Sequence, residues 1–193
     1  MSWSPQQDKA ITAVNRWLAD PKAPQVFYLF GYAGTGKTTL AKHLAEGVKG
    51  EVLFAAFTGK AASVLRKKGC SGASTIHSLI YKPVQDERTG KVDFVLNPDS
   101  PVAYAPCVMI DEVSMVDGEL GNDLLSYGTK VLVMGDPFQL PPVKGEGFFN
   151  VAQPDVMYLG GIHRTLEVCR MAERAGLPVT PHAANLSLVT MSR

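Results

Sequence analysis

Gly31-Tyr32-Ala33-Gly34-Thr35-Gly36-Lys37-Thr38 matches G-x-x-x-x-G-K-[ST] at every fixed position. Glycines there let the backbone wrap so that its N–H groups point at phosphate oxygens, and a following helix N-terminus adds a favourable dipole. Lys37 can reach the β and γ phosphates of a nucleoside triphosphate, and the Thr38 hydroxyl can ligate Mg²⁺. Further along, Val108-Met109-Ile110 runs into Asp111-Glu112. Asp111 suits Mg²⁺, directly or through water, and Glu112 suits the orientation and deprotonation of an attacking water. A kinase for a small substrate has less need of that second acid, so the pair leans towards hydrolysis. A third segment, Gly135-Asp136-Pro137-Phe138-Gln139-Leu140-Pro141-Pro142-Val143, offers Gln139 as a hydrogen-bonding sensor of the γ-phosphate or the water. Asp136 could orient the magnesium shell, and the prolines stiffen the exit.

These motifs need elements to hold them. Val26-Phe27-Tyr28-Leu29-Phe30, just before the glycine loop, is a short continuous apolar run and reads as a buried strand. Residues 38–48 follow as a helix. Residues 51–57, 107–110 and 130–134 read as three further strands, the last two ending at Asp111-Glu112 and Gly135-Asp136. Residues 60–68 form a helix ended by Gly69. An N-terminal helix starts at Ser4-Pro5, with Ala10, Ile11, Val14 and Leu18 at helical spacing. Strands alternating with helices, with polar motifs at strand C-termini, predict an open α/β sheet that is mainly parallel and binds its ligand at that edge. The insertion at 82–105 differs. Glu87-Arg88-Thr89-Gly90-Lys91 has turn chemistry and Val92, Phe94 and Leu96 alternate after it, which predicts a small β-hairpin.

The 193 residues, 46% hydrophobic, suffice for one well-buried domain. No apolar run approaches the ~20 residues of a membrane span, and the N-terminus shows no secretory signal. The scattered, odd-numbered Cys70, Cys107 and Cys169 fit a reducing cytosol. The net charge of +1 marks no strongly basic nucleic-acid binder, although a groove with a few local basic residues stays open.

GYAGTGKTT, FTGKAA, STIHSL, IDEVSM, GDPFQLPPV and IHRT occur in the order seen in superfamily 1 helicases, from about residue 3 to about residue 165. The chain most resembles the first motor domain of the RecD-like branch, which includes the phage Dda-type helicases. That resemblance implies a RecA-like, three-layer P-loop NTPase fold and an ATP-dependent DNA helicase that moves 5′ to 3′ on single-stranded DNA. ATP and Mg²⁺ are the implied cofactors, and a bacterial cytoplasm, native or phage-infected, is the implied setting. The nucleotide site would comprise Gly31, Ala33, Gly34, Thr35, Gly36, Lys37, Thr38 and Thr39, with Gln7 (or Gln6, one register away) reading adenine. Thr38 and Asp111 would hold the metal. Lys37, Glu112, Gln139 and Arg164 would act on the reacting phosphate.

Thr58, Lys60, Thr75 and His77 match segments that contact the single strand, and the hairpin around Gly90 takes the place of the duplex-splitting pin. A hydroxyl and an ammonium suit phosphate contact. Lys60 also reads, less strongly, as a solvated lysine at a helix start, and His77 equally as a structural hydrogen-bonder. Phe94 either stacks on a base or packs on the domain.

On this reading residues 1–165 form the ATPase lobe, with 82–105 inserted. Residues 166–193 add a helix over 166–175 and a tail, the start of a second lobe whose motifs do not follow Arg164. The expectation is ATP binding with poor unwinding by this chain alone, unless a partner supplies the second lobe. A nucleotide-gated DNA- or partner-binding module is the alternative of a different class. A small-molecule kinase is disfavoured by the acidic pair and by residues 135–143.

Overall fold

Ser4 begins the first helix, α1 (Pro5–Ala19), with a reciprocal cap. The Gln7 backbone N–H donates to the Ser4 hydroxyl, and the Ser4 N–H donates to the Gln7 side-chain oxygen. Pro5 occupies the first turn, where its missing N–H costs nothing. Ala10, Val14 and Trp17 form the buried stripe, while Ile11 and Leu18 are only partly covered. The indole N–H of Trp17 donates to the Pro24 carbonyl, which lets a large ring with a polar N–H be buried at the end of the stripe.

The computed structural model describes residues 3–31, 34–135, 148–149, 167, 169–171, 174 and 189–192. After α1 the order is β1 (Val26–Phe30), α2 (Lys37–Glu46), β2 (Leu53–Ala56), α3 (Gly59–Lys67), β3 (Ser74–Thr75) and α4 (Ile76–Ile80). There follow β4 (Tyr81–Gln85), β5 (Val92–Leu96), β6 (Val108–Asp111), α5 (Gly118–Leu125), β7 (Val131–Gly135) and β8 (Val189–Ser192). The main sheet runs β3-β2-β6-β7-β1-β8. Its pairings are parallel except for β8, which lies antiparallel against β1, with Phe30 opposite Val189 and Phe27 opposite Ser192. The expected mainly parallel α/β sheet is present. Neither β8 nor α5 is among the elements read from the sequence.

Side chains alternate across this sheet into two apolar layers. Phe27, Leu29, Met109, Leu132 and Met134 pack on one face with residues of α1, α2 and α3. Tyr28, Phe30, Val108, Ile110, Val131 and Val133 pack on the other with residues of α4 and α5. Both faces of β1, β6 and β7 are therefore covered, which is why these strands read as unbroken apolar runs. Each fully buried large side chain contributes roughly 1.5–3 kcal/mol by leaving water. No helix among the described residues is long and apolar enough to cross a membrane.

The hairpin forms a separate two-stranded sheet, β4 against β5, with Tyr81 opposite Leu96 and Gln85 opposite Val92. Asp86 shapes its turn: its carboxylate accepts from the N–H groups of Arg88 and Thr89, and Gly90 takes φ 69°. Those two N–H donors hold the exposed Asp86 carboxyl below its usual range. An isolated hairpin is marginal in water, and this one is fastened at its root. The Asn97 N–H donates to the Ile80 carbonyl at 2.8 Å, while the Tyr127 hydroxyl lies 2.6 Å from the Asn97 carbonyl and 3.1 Å from that of Ile80. Buried Ser100 donates to the Leu79 carbonyl and accepts from the Val102 N–H.

Helix α5 receives Phe148 at Gly121, where a Cβ would lie 2.1 Å from the ring. The Phe148 N–H donates to the Val116 carbonyl, and its ring packs edge-on against buried Phe149. Gly121→Ala improves helix propensity by about 1 kcal/mol, yet it forces the ring out of its seat, and overpacking typically costs about 1–3 kcal/mol. We expect a net loss of stability, read as a melting temperature several degrees lower, at about 2–4 °C per kcal/mol for a chain of this size. Phe148→Ala in the same chain should recover part of the loss. A melting temperature that rises with Gly121→Ala alone would show that Phe148 is not held there.

Candidate functional site

Register decides which motifs meet. Phe30 pairs with Gly135, Ala56 pairs with Asp111, and Ala56 also pairs with Thr75 on its other side. The ends of β1, β7, β6, β2 and β3 thus line one sheet edge. The phosphate loop leaves β1, the second acid follows β6, Phe57-Thr58 follows β2, and Thr75 passes into α4.

The phosphate loop is tied at both of its ends. The Gly31 N–H donates to the Gly135 carbonyl at 3.1 Å, continuing the β1–β7 ladder into the loop. Gly34 and Gly36 take φ 82° and 83°, the left-handed region open to glycine, and Gly36 turns directly into α2. The Lys37 ammonium donates to the Gly31 carbonyl, so it already spans the loop that it would share with phosphates. Thr38 is buried and Thr39 exposed at the start of α2. Ala33 lies outside the described residues, as do Gln139 and Arg164.

Gln7 bridges α1 to this loop. Its side-chain nitrogen donates to the Thr35 carbonyl at 3.2 Å, while its oxygen accepts from the Ser4 N–H at 2.9 Å. Both ends of the amide are engaged by the protein. Gln6 is exposed one position away.

The acidic pair has an unusual backbone. Glu112 takes φ 57° and ψ 45°, the sole non-glycine residue with positive φ among those described. This conformation costs an L-residue roughly 1–2 kcal/mol. Asp111 steadies it by accepting the Glu112 N–H at 3.0 Å. The 3₁₀ turn Val113–Met115 follows, with Val113 buried. A Cβ at Gly135 would lie 3.0 Å from Phe30 and 3.2 Å from Val113. Glycine at that position therefore lets the strand carrying the phosphate loop and the acid turn approach each other.

Thr38 and Asp111 offer one hydroxyl and one carboxylate. That sparse oxygen set fits Mg²⁺, which keeps several waters and takes phosphate oxygens. Asp111 also acts at a distance: burial first, and then its charge, push the thiol of Cys70 above the ordinary range.

Two of the strand-contact candidates are helix caps. The Thr58 oxygen accepts from the Ala61 N–H at the start of α3, and the Thr75 oxygen accepts from the Ser78 N–H at the start of α4. A capping hydroxyl still carries one proton to donate, and Thr75 shares a 2.8 Å contact with the Ser78 hydroxyl. Lys60 is exposed in the first turn of α3. Exposed His77 sits between Phe57, at 6.1 Å, and Tyr81, at 5.8 Å. This aromatic row joins the sheet edge to the hairpin root, where the Tyr81 hydroxyl donates to Asp123. Sequence reasoning placed Phe57 at the head of the FTGKAA segment with no role of its own, and missed Tyr81. The spacing of His77 and Tyr81, one helical turn apart, was the available signal.

A family model described as an AAA domain matches residues 3–177. The chain is 40% identical over 121 residues to an ATP-dependent RecD2 DNA helicase of Deinococcus radiodurans, covering 60% of this chain and 16% of that protein. It is 32% identical over 167 residues to the ATP-dependent DNA helicase dda of Enterobacteria phage T4, covering 81% of this chain and 36% of that protein. Among solved structures, a Pif1 helicase from Bacteroides in complex with ADP-AlF3 and ssDNA matches with a TM-score of 0.56 and 26% identity, over 78% of this chain and 39% of that one. The chain spans well under half the length of each of these relatives.

The Glu112 geometry yields a stability test. Glycine adopts this conformation freely, relieving about 1–2 kcal/mol of strain against about 0.5–1 kcal/mol of added backbone entropy. Glu112→Gly should therefore melt at or slightly above the parent temperature. A drop of more than a few degrees would mean that the glutamate side chain itself holds the turn.

Proposed function

The chain belongs to the AAA-domain family, and from that premise we propose that it is the first motor lobe of a RecD-like, ATP-dependent DNA helicase of superfamily 1. The observation that carries this reading is the parallel register in which Ala56 stands between Asp111 and Thr75. A nucleotide-side acid and a strand-side cap are thereby fixed to opposite flanks of one strand, β2.

In this mechanism the loop from Gly31 to Thr39 cradles the triphosphate, and Lys37 exchanges the Gly31 carbonyl for phosphate oxygens. Thr38 and Asp111 are the residues that would hold Mg²⁺, which supplies charge neutralisation when bound. Glu112 orients the attacking water and accepts its proton, helped by a backbone that is set before the nucleotide arrives. Gln139 and Arg164 respond to the γ-phosphate. Thr58, Lys60, Thr75 and His77 hold single-stranded DNA by its backbone, using hydroxyl donors and a cation that read no sequence. A change at the acid turn reaches those contacts through β6 and β2. A second motor lobe, in the same polypeptide or in a partner, faces the same nucleotide. The hairpin meets the duplex.

The decisive experiment is Mg²⁺-dependent ATP hydrolysis with and without single-stranded DNA. We expect DNA-stimulated turnover. Lys37→Ala should lose nucleotide affinity. Glu112→Gln should keep affinity but lose about 10²–10⁴-fold in turnover, the usual worth of a positioned base. Nucleotide binding without hydrolysis in the parent chain would instead assign it as a nucleotide-gated binding module.

A further inference from the structure

Charge is spread unevenly along this chain. Between Glu51 and Asp86 the sequence contains no Asp or Glu, yet it holds five of the chain's 19 Lys and Arg: Lys60, Arg66, Lys67, Lys68 and Lys82. The net charge of +1 therefore conceals a basic segment set in an otherwise net acidic chain. Four of those five cations stand on α3 or directly after it, and all four are exposed.

Their arrangement makes a track. Lys60, Val64 and Lys67 recur at four- and three-residue spacing, which puts them on one helix face, while Ala61, Ala62 and Leu65 are buried on the other. At 1.5 Å rise per residue, the stripe from Lys60 to Lys67 is about 10 Å long. It starts beside Thr58, the cap of α3. Arg66 turns towards the sheet edge, where its guanidinium donates to the Ala73 carbonyl, two residues before Thr75. That bond uses one of its five N–H donors. Glu46 and Glu51 line a cavity with Gly69 and Gly72, past the end of α3, and there the basic face stops.

Two ordinary roles do not account for this charge. The ion pairs among the described residues are His43 with Glu46 and Lys91 with Asp93, so none neutralises the α3 cations. Cations in a last helical turn favour the helix dipole by about 0.3–1 kcal/mol each. That suits Arg66 and Lys67, but Lys60 lies in the first turn, where the dipole opposes a cation. A row that is basic from end to end fits an extended polyanion, and its start beside Thr58 makes it continuous with the strand contacts.

We propose that single-stranded DNA leaving Thr58 and Thr75 continues along α3, its phosphates against Lys60, Arg66, Lys67 and Lys68. The proposal rests on the reading of Thr58, Lys60, Thr75 and His77 as strand contacts, and adds three cations outside those segments. Ammonium and guanidinium groups take phosphate without reading sequence. The face thus adds affinity and salt dependence while base preference stays unchanged.

The test is the salt dependence of binding. Each phosphate contact to a single strand contributes about 0.7 to the slope of log affinity against log salt. A fluorescent oligothymidine of about 16 nucleotides, the upper site size of a small single-strand-binding fold, is titrated over a series of salt concentrations. Replacing both Lys67→Gln and Lys68→Gln should make the slope shallower by about 1.4, the worth of two contacts. Lys67→Arg with Lys68→Arg should keep the parent slope. Lys22→Gln with Lys49→Gln, an equal loss of charge at exposed positions away from α3, should keep it too. A slope unchanged by the two α3 glutamines would overturn the proposal. So would an equal change in the Lys22 and Lys49 pair, which would assign the effect to overall charge. A change seen with blunt duplex but not with the single strand would give the face to duplex DNA and overturn it as well. A parent chain that binds no single strand would remove the strand-contact reading itself, and this proposal with it.

Discussion

The parallel ladder at one sheet edge is the constraint on which the site depends. Phe30 against Gly135, and Ala56 against both Asp111 and Thr75, fix which motifs become neighbours although they lie far apart in the chain. A one-residue slip in such a ladder would turn every side chain of a strand to the opposite face. Here both faces are apolar and filled by different residues, so a slip would set Phe27 and Leu29 against the partners of Tyr28 and Phe30. Packing on two sides therefore protects a geometry that is expressed only at the edge.

Much of this could be read from the sequence because two-sided burial leaves a plain signal. Unbroken apolar runs gave β1, β6 and β7, and glycines with a lysine gave the loop between β1 and α2. The hairpin followed from turn residues at Glu87 to Lys91 and from alternation after them. Other features have no such signal. The left-handed backbone at Glu112 is imposed by the fit of Val113 beside Gly135 and by the Asp111 carboxylate, and nothing in the letters Asp-Glu-Val announces it. The pairing of β8 with β1 joins positions more than 150 residues apart, beyond any local periodicity. Helix α5 begins at a glycine and carries another at Gly121, a composition that speaks against a helix until the seat for Phe148 is seen.

Gln7 has work in the fold beside the adenine-reading role that the resemblance implies. The resemblance makes it a reader of adenine. In the structure its amide closes the α1 cap and holds the phosphate loop by Thr35. Gln7 thereby passes the position of the N-terminal helix to the loop, and Trp3 shares that anchorage.

The hairpin has a consequence of another kind. It hangs from its root, fastened through Ile80, Asn97 and Tyr127 and by the Tyr81 hydroxyl on Asp123, and shares no ladder with the main sheet. From Tyr81 to Leu96 its charges balance, Lys82, Arg88 and Lys91 against Asp86, Glu87 and Asp93. Lengthening the chain beyond Gln85 and Val92 would leave every register of the main-sheet edge intact, and loop-closure entropy rises only slowly with length. Descendants of one ancestral chain are thus free to rebuild this arm while the edge stays as it is. The arm is the place where lineages that keep one sheet edge can come to differ in shape.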